Sequence, residues 1–305
     1  MLRDKYLFVH FIGESEHGEQ VYFSLSEDGL HWMDLNDGQP VLVSEIGEKG
    51  VRDPFVVRDE KNGCFYLIAT DCRIASGKGW AVAQFEGSKD IIVWKSEDLV
   101  HWSKPWNCTV AIEESGCAWA PEAIYDEEKE AFLVFWASMT QLGNVKHKQR
   151  IFASYTKDFV NYTEPELYIE RDKHVIDTDI IRIPEGYVRF SKDETTKNIR
   201  VDFGKTLDKD NFTDLFCPVL DTMYGVEGPI AFPMEGGKKW CLFVDRYAEG
   251  KGYLPLISED VLSGEFRILD ESEYDMGKTL KRHGGILAIT EEEYNCLKKA
   301  YKGEE

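Results

Sequence analysis

Three carboxylates and a histidine stand at matching places along the chain. They are Asp53 in Arg52-Asp53-Pro54, Asp177 in Ile176-Asp177-Thr178-Asp179, Glu227 in Glu227-Gly228-Pro229, and His283 in Arg282-His283-Gly284. Like charges gathered at one place cost electrostatic energy, and proteins keep such groupings where chemistry needs unequal pKa values. Glycoside hydrolysis is chemistry of that kind: one carboxyl protonates the leaving oxygen, an ionised carboxylate takes a proton from water, and a neighbour holds their pKa values apart. Each residue alone also has a structural reading. Asp53 before Pro54 can open a turn, Asp177 and Asp179 can be a turn and a strand acceptor, and His283 can be a satisfied core histidine. Glu227 is harder to explain that way, because Val226, Ile230 and Phe232 surround it with an apolar strand pattern in which an unpaired carboxylate is costly. The recurrence of the four at the heads of similar segments favours the catalytic reading.

A repeat must position them. Five times the chain gives an apolar strand, a small acidic turn and an aromatic residue, ending at Trp32, Trp102, Tyr162, Phe212 and Phe266. A second apolar run precedes each copy, at 6–11, 65–71, 132–138, 187–193 and 240–246, and reads as a middle strand. A third run opened by Asp, Pro or Glu precedes four of these, at 53–59, 120–126, 177–183 and 227–233, and reads as an innermost strand. The first copy lacks one, while an orphan strand, 283–290, follows the fifth. Ring closure accounts for both, with the last strand completing the first sheet and leaving no open edge. The expected fold is therefore all-β: a five-bladed propeller over 1–305 as a single catalytic domain, with a short C-terminal helix at about 291–300. Heads of inner strands converge on one channel mouth in such a ring.

The bulk numbers agree with a chain that buries a large core and binds no polyanion. Hydrophobic residues make up 43% and aromatic ones 13%, and the formal net charge is -20, which repels phosphate backbones and anionic membranes but is indifferent to a neutral sugar. Seven scattered cysteines show neither a CxxC pair nor zinc spacing, and read as buried reduced thiols. With no apolar run long enough for a signal core or a membrane span, a cytoplasmic monomer is expected.

In order and placement, Arg52-Asp53-Pro54, Trp119-Ala120-Pro121, Ile176-Asp177, Glu227-Gly228-Pro229 and Arg282-His283-Gly284 on five repeats resemble glycoside hydrolase family 43, over essentially the whole chain. The resemblance implies an inverting mechanism with Asp53 as general base, Glu227 as general acid and Asp177 as the third carboxylate that tunes and orients the acid. Base and acid in an inverting site stand about 6.5–9.5 Å apart to admit water. Two departures stand out. Glu122 follows the Trp-Ala-Pro turn where relatives commonly carry Asp, and is assigned a supporting place; Asp177 precedes Thr178 rather than Pro, so Asp179 is a substitute for it. The resemblance also implies an axial calcium ion held by His283 and waters, with an ordered water as the alternative occupant.

For the sugar itself, Trp80 and Trp119 are expected to supply aromatic platforms, and Arg189 and Arg282 hydrogen bonds to hydroxyls. The expected activity is exo-acting release of terminal α-L-arabinofuranose, β-D-xylose or both from short arabinoxylan- or arabinan-derived oligosaccharides. Two rivals remain. A sialidase-like hydrolase shares the acidic turns but needs clustered arginines, and a non-catalytic propeller that binds sugar or protein needs no carboxylate set.

Overall fold

The computed structural model describes residues 2–143 and 146–301, which form five four-stranded antiparallel sheets. The first blade holds β1 (Lys5–His10), β2 (Tyr22–Ser26) and β3 (Trp32–Asp34). The second runs β4 (Val51–Asp59), β5 (Cys64–Asp71), β6 (Asp90–Ser96), β7 (Trp106–Thr109), and the third β8 (Trp119–Asp126), β9 (Ala131–Thr140), β10 (Lys148–Thr156), β11 (Glu166–Ile169). The fourth is β12 (Val175–Ile183), β13 (Gly186–Asp193), β14 (Asn198–Gly204), β15 (Thr213–Asp214), and the fifth β16 (Glu227–Met234), β17 (Lys239–Asp245), β18 (Tyr253–Ser258), β19 (Arg267–Ile268). Strand β20 (Gly284–Ile289) joins the first blade, pairing with β1 from His10↔Gly284 to Lys5↔Ile289. Inner strands pack in a closed circle, β20 on β4, β4 on β8, β8 on β12, β12 on β16 and β16 on β20. The fold is the expected five-bladed propeller.

Sheet faces carry the apolar side chains that glue blade to blade. Phe132, Val134 and Trp136 of β9 pack with Tyr66 and Ile68 of β5, while Phe135 and Leu133 on the other face pack with Val175, Ile176 and Ile180 of β12. This period-two division is why β9 is buried throughout its length. The recurrent acidic turn has a local cause. Asp28 Oδ1 accepts from the backbone N–H of Leu30 (2.8 Å) and His31 (2.9 Å), Asp98 accepts likewise from Val100 and His101, and Asp158 from Val160 and Asn161. The carboxylate so replaces ladder hydrogen bonds lost at the bend. The aromatic that follows begins or bridges toward the outer strand, with Trp32 opening β3. Those outer strands, β3, β7, β11, β15 and β19, are only two to four residues long, and their brevity hid them from hydropathy patterning.

Among the described residues three α-helices accompany the sheets: α1 (Gly79–Phe85), α2 (Pro218–Asp221) and α3 (Glu291–Ala300). Helix α3 starts on a capping box in which Thr290 and Glu293 satisfy each other's backbone N–H. Glu293 also accepts from both terminal nitrogens of Arg58 on β4, and Tyr294 and Leu297 pack into the core between the first two blades. All seven cysteines are free thiols, six of them buried and Cys296 exposed.

Candidate active site

Each of β4, β8, β12 and β16 carries the same irregularity near its head. Pairing with the middle strand shifts between Arg52 and Phe55, Trp119 and Glu122, Ile176 and Thr178, and Glu227 and Ile230. At the bulge one residue takes a left-handed conformation: Asp53 (φ 47), Ala120 (φ 46), Asp177 (φ 48) and Gly228 (φ 51). An αL conformation costs a non-glycine residue about 1 kcal/mol or more, and the bulge is a device for re-aiming a side chain. At Gly228 no side chain would fit, since a Cβ would lie 2.8 Å from His283 Cγ and 3.0 Å from the Tyr253 hydroxyl. The bulges also correct one expectation. Asp53 and Asp177 share a register position with Gly228, so Glu227 stands one residue earlier than they do, level with Arg52, Trp119 and Ile176.

These heads surround a pocket of about 70 Å³ lined by Arg52, Asp53, Thr70, Cys72, Trp80, Trp119, Ile176, Asp177, Glu227 and His283. The three expected catalytic carboxylates thus meet at one small pocket. Asp53 Oδ2 accepts from Thr70 Oγ1 (2.8 Å), and the same hydroxyl accepts from the Ala120 N–H (2.7 Å), which fixes Asp53 against the next blade. Asp177 Oδ2 accepts from the Gly228 N–H at 3.2 Å, tying the fourth blade to the fifth. Burial, with the charges of Glu227 and Asp53, raises Asp177 to about 6 against the pull of His283 and Lys192.

Glu227 is held differently. Lys192 Nζ donates to its Oε2 at 2.8 Å and Arg282 Nη2 to its Oε1 at 3.0 Å. Burial pushes this carboxyl up, but Lys192, Arg282 and His283 outweigh it, and the net direction is down. Asp179 and Glu122 lie beyond the pocket wall. Asp179 Oδ2 accepts from the Ala231 N–H (2.7 Å), and burial raises its carboxyl to about 6. Glu122 is buried with Oε2 lacking a hydrogen-bond partner, and burial together with Asp179 holds it well above the carboxylate range.

His283 sits on the axis among these acids, its Nδ1 3.5 Å from Asp53 Oδ1 and 3.8 Å from Asp177 Oδ1, its Nε2 3.8 Å from Glu122 Oε1. Burial disfavours its charged form, yet the carboxylates raise it to about 10. An imidazolium carries a proton on both ring nitrogens and has no lone pair to give a cation. A cation held here by His283 would have to displace one of those protons, with waters completing its shell, since no cluster of three or more protein ligands occurs among the described residues.

The expected sugar contacts divide. Trp80, at the start of α1 and half exposed, and Trp119 both line the pocket, edge to face with centroids 6.1 Å apart. Arg189 does not approach it. Its guanidinium is buried between the third and fourth blades, donating to Asp202 Oδ2 from Nε (3.0 Å) and Nη2 (2.9 Å) and lying 4.0 Å from the Phe212 ring centre. Arg282 is adjacent but committed, with Nε on Asp245 Oδ2 at 2.6 Å as well as Nη2 on Glu227. The arginine that lines the pocket is Arg52, which donates to Glu14 (2.8 Å) and Glu19 (3.0 Å) and lies under Trp80, 4.9 Å from its ring centre. Arg52, Thr70 and Lys192 were not singled out by sequence, although Arg52 stands inside the Arg-Asp-Pro motif. A larger cleft of about 940 Å³ lies between the third and fourth blades beside Asp126 and Arg182, at the opposite ends of β8 and β12 from the carboxylates.

The profile of a family described as a probable glycosyl hydrolase domain, of the family-43-related type, matches residues 3–295. An alpha-L-arabinofuranosidase of Bifidobacterium longum subsp. longum is 33% identical over 208 residues, covering 62% of this chain but 19% of that protein; the chain spans about a fifth of that relative's length. Among solved structures, a mutant of the Cellvibrio cellulosa alpha-L-arabinanase superposes with a TM-score of 0.59 at 14% identity over 91% of this chain and 96% of that one. A family-43 beta-1,3-galactosidase gives 0.62 at 14% identity over 90% and 58%. At such identities the structures speak for the fold alone, but the profile spans nearly the whole sequence, and the chain belongs to glycoside hydrolase family 43.

Proposed function

We propose that the chain is an inverting exo-glycosidase that releases terminal α-L-arabinofuranose, β-D-xylose or both from short oligosaccharides. The observation that carries this reading is the small pocket with Asp53, Asp177 and Glu227 on three separate blades and two tryptophans at its rim. In the proposed reaction the Asp53 carboxylate, oriented by Thr70, accepts a proton from water as the water oxygen bonds to the anomeric carbon. The bond from that carbon to the leaving oxygen breaks, and Glu227, in its protonated form, gives its proton to that oxygen. Asp177 is the neighbouring carboxyl, raised in part by the Glu227 charge. A small pocket suits exo cleavage, and the preference for arabinose rests on the arabinofuranosidase relative.

The test is hydrolysis of the nitrophenyl glycosides of α-L-arabinofuranose, β-D-xylopyranose and β-D-galactopyranose in parallel, with the anomer of the first product read by NMR. We expect release from one or both of the first two with inversion, and a fall in kcat of about 10²–10⁴-fold in Glu227→Ala. Release from none of the three would overturn the reading and leave a binding propeller in its place; release of galactose alone would reassign the substrate.

A further inference from the structure

Lys192 is an unusual group to find beside a proton donor. It comes from β13, the middle strand of the fourth blade, directly opposite Ile176 in the pairing, and its side chain is 2% exposed. The ammonium reaches across the blade boundary to Glu227 Oε2 at 2.8 Å, stands 2.7 Å from Glu194 Oε2, and lies over the Tyr247 ring at 4.3 Å. With Arg282 on Oε1, both oxygens of Glu227 are occupied by cationic donors. Such a carboxylate is fixed in one rotamer and has no free lone pair facing those donors, so it is well placed but wrongly charged to act as an acid.

We propose that Lys192 is a positioning residue for the hydrolysis, which pins Glu227 between turnovers and stays paired with Glu194 when Glu227 takes up a proton. The second acidic partner is what makes that protonation feasible. Protonating a carboxylate beside a buried lysine would strand the ammonium without a counterion, but here Glu194 keeps it paired. Proton balance is simple: Glu227 takes one proton from solvent, gives it to the leaving oxygen, and returns to its clamp as the carboxylate. The groups that face Glu227 are Lys192 from β13, Arg282 and His283 from the segment leading into β20, Asp177 from β12 and Asp245 from β17. Both cations that contact it have a second carboxylate in place, Asp245 for Arg282 and Glu194 for Lys192. The inference rests on the proposed hydrolase reading and asks which residue governs its acid.

The experiment compares wild type with Lys192→Met, Lys192→Arg and Glu194→Gln on whichever nitrophenyl glycoside wild type cleaves, across the pH range, together with ¹³C NMR titration of the Glu227 carboxyl, assigned through Glu227→Gln. For Lys192→Met, with folding checked by thermal melts, we expect kcat at its optimum to fall about 10- to 100-fold while KM changes less than about twofold. Removing a cation favours the protonated form, so the alkaline limb of the rate profile and the Glu227 titration should both move up by about one pH unit. Lys192→Arg should recover part of kcat, and Glu194→Gln, which leaves the ammonium to Glu227 alone, should move the alkaline limb and the Glu227 titration the opposite way, down. An unchanged Glu227 titration and limb in Lys192→Met would overturn the proposal, even if kcat fell. Absence of hydrolysis by wild type would overturn the functional reading instead.

Discussion

Buried charge is balanced in two opposite ways in this molecule. On the flank of the fourth blade Asp202 is shared by Arg189 and Arg171, the latter at 2.7 Å, and although burial pushes its carboxyl up, the two guanidinium groups bring it below the usual range. Beneath the first blade Asp34 does likewise: Lys281 outweighs burial and holds it at about 2. On the axis the ratio is inverted. Asp53, Asp177, Glu122 and Asp179 surround the one imidazolium of His283, and Asp177, Asp179 and Glu122 all move upward. Asp202 and Asp34 meet cations that keep them ionised, whereas the axial group holds more carboxyls than cations and so keeps protons within the protein near neutral pH.

The sharpest break of that comparison is Asp202→Asn. It leaves Arg189 and Arg171 near one another without a counterion, which costs about 3–5 kcal/mol where a buried pair is broken. Urea unfolding should report the loss, while kcat of the molecules that remain folded stays at the wild-type value, because Arg189 lies away from the pocket. Loss of activity with unchanged stability would mean that the flank cluster reaches the site.

Asp177→Asn should do the reverse. The folded-state carboxyl is raised from 3.8 to about 6, so the native state binds the proton more tightly than the unfolded chain, and ionisation lowers stability as pH climbs through that window. The amide removes this cost. At pH 7 the variant should be about 1–3 kcal/mol more stable than wild type, and equal to it near pH 4, with kcat strongly reduced. A variant less stable than wild type at pH 7 would show that Asp177 is a structural partner of His283 and Lys192 first.

Much of this geometry could be read from the chain, and the misses have physical causes. Inner strands declared themselves because Asp, Pro or Glu followed by alternating Phe, Val and Ile has few other uses, and β20 because an orphan strand needs a sheet. Arg189 and Lys192 show what such patterns hide. They lie three residues apart on β13 and therefore face opposite blades; which face meets Asp202 and which meets Glu227 depends on the neighbours packed there, not on the local sequence. The offset of Glu227 from Asp53 and Asp177 has the same origin, since a bulge consumes a residue without changing composition. The outer strands were lost for shortness, and Arg52 because its neighbour Asp53 drew the chemical reading.

The smallest expected effect bears on the centre of the axial cluster. A calcium ion there would need a neutral imidazole, with a lone pair on one nitrogen. In this chain Nδ1 faces two carboxylates and Nε2 a third, and the ring's pKa is raised from 6.5 to about 10. With no cation bound, His283 takes up a proton and is itself the cation that offsets the surrounding acids. Its contribution to stability is fully present below about pH 6.5 and is lost as pH rises through about 10. Treatment with a chelator should accordingly leave kcat and the melting temperature unchanged at pH 6–8, and should not alter the alkaline decline of stability. A chelator-sensitive melting temperature restored by calcium would place a metal among the acids and make His283 a neutral ligand. The axial group would then resemble the flank pairs, with a cation for its carboxylates, and the contrast between the two clusters would disappear.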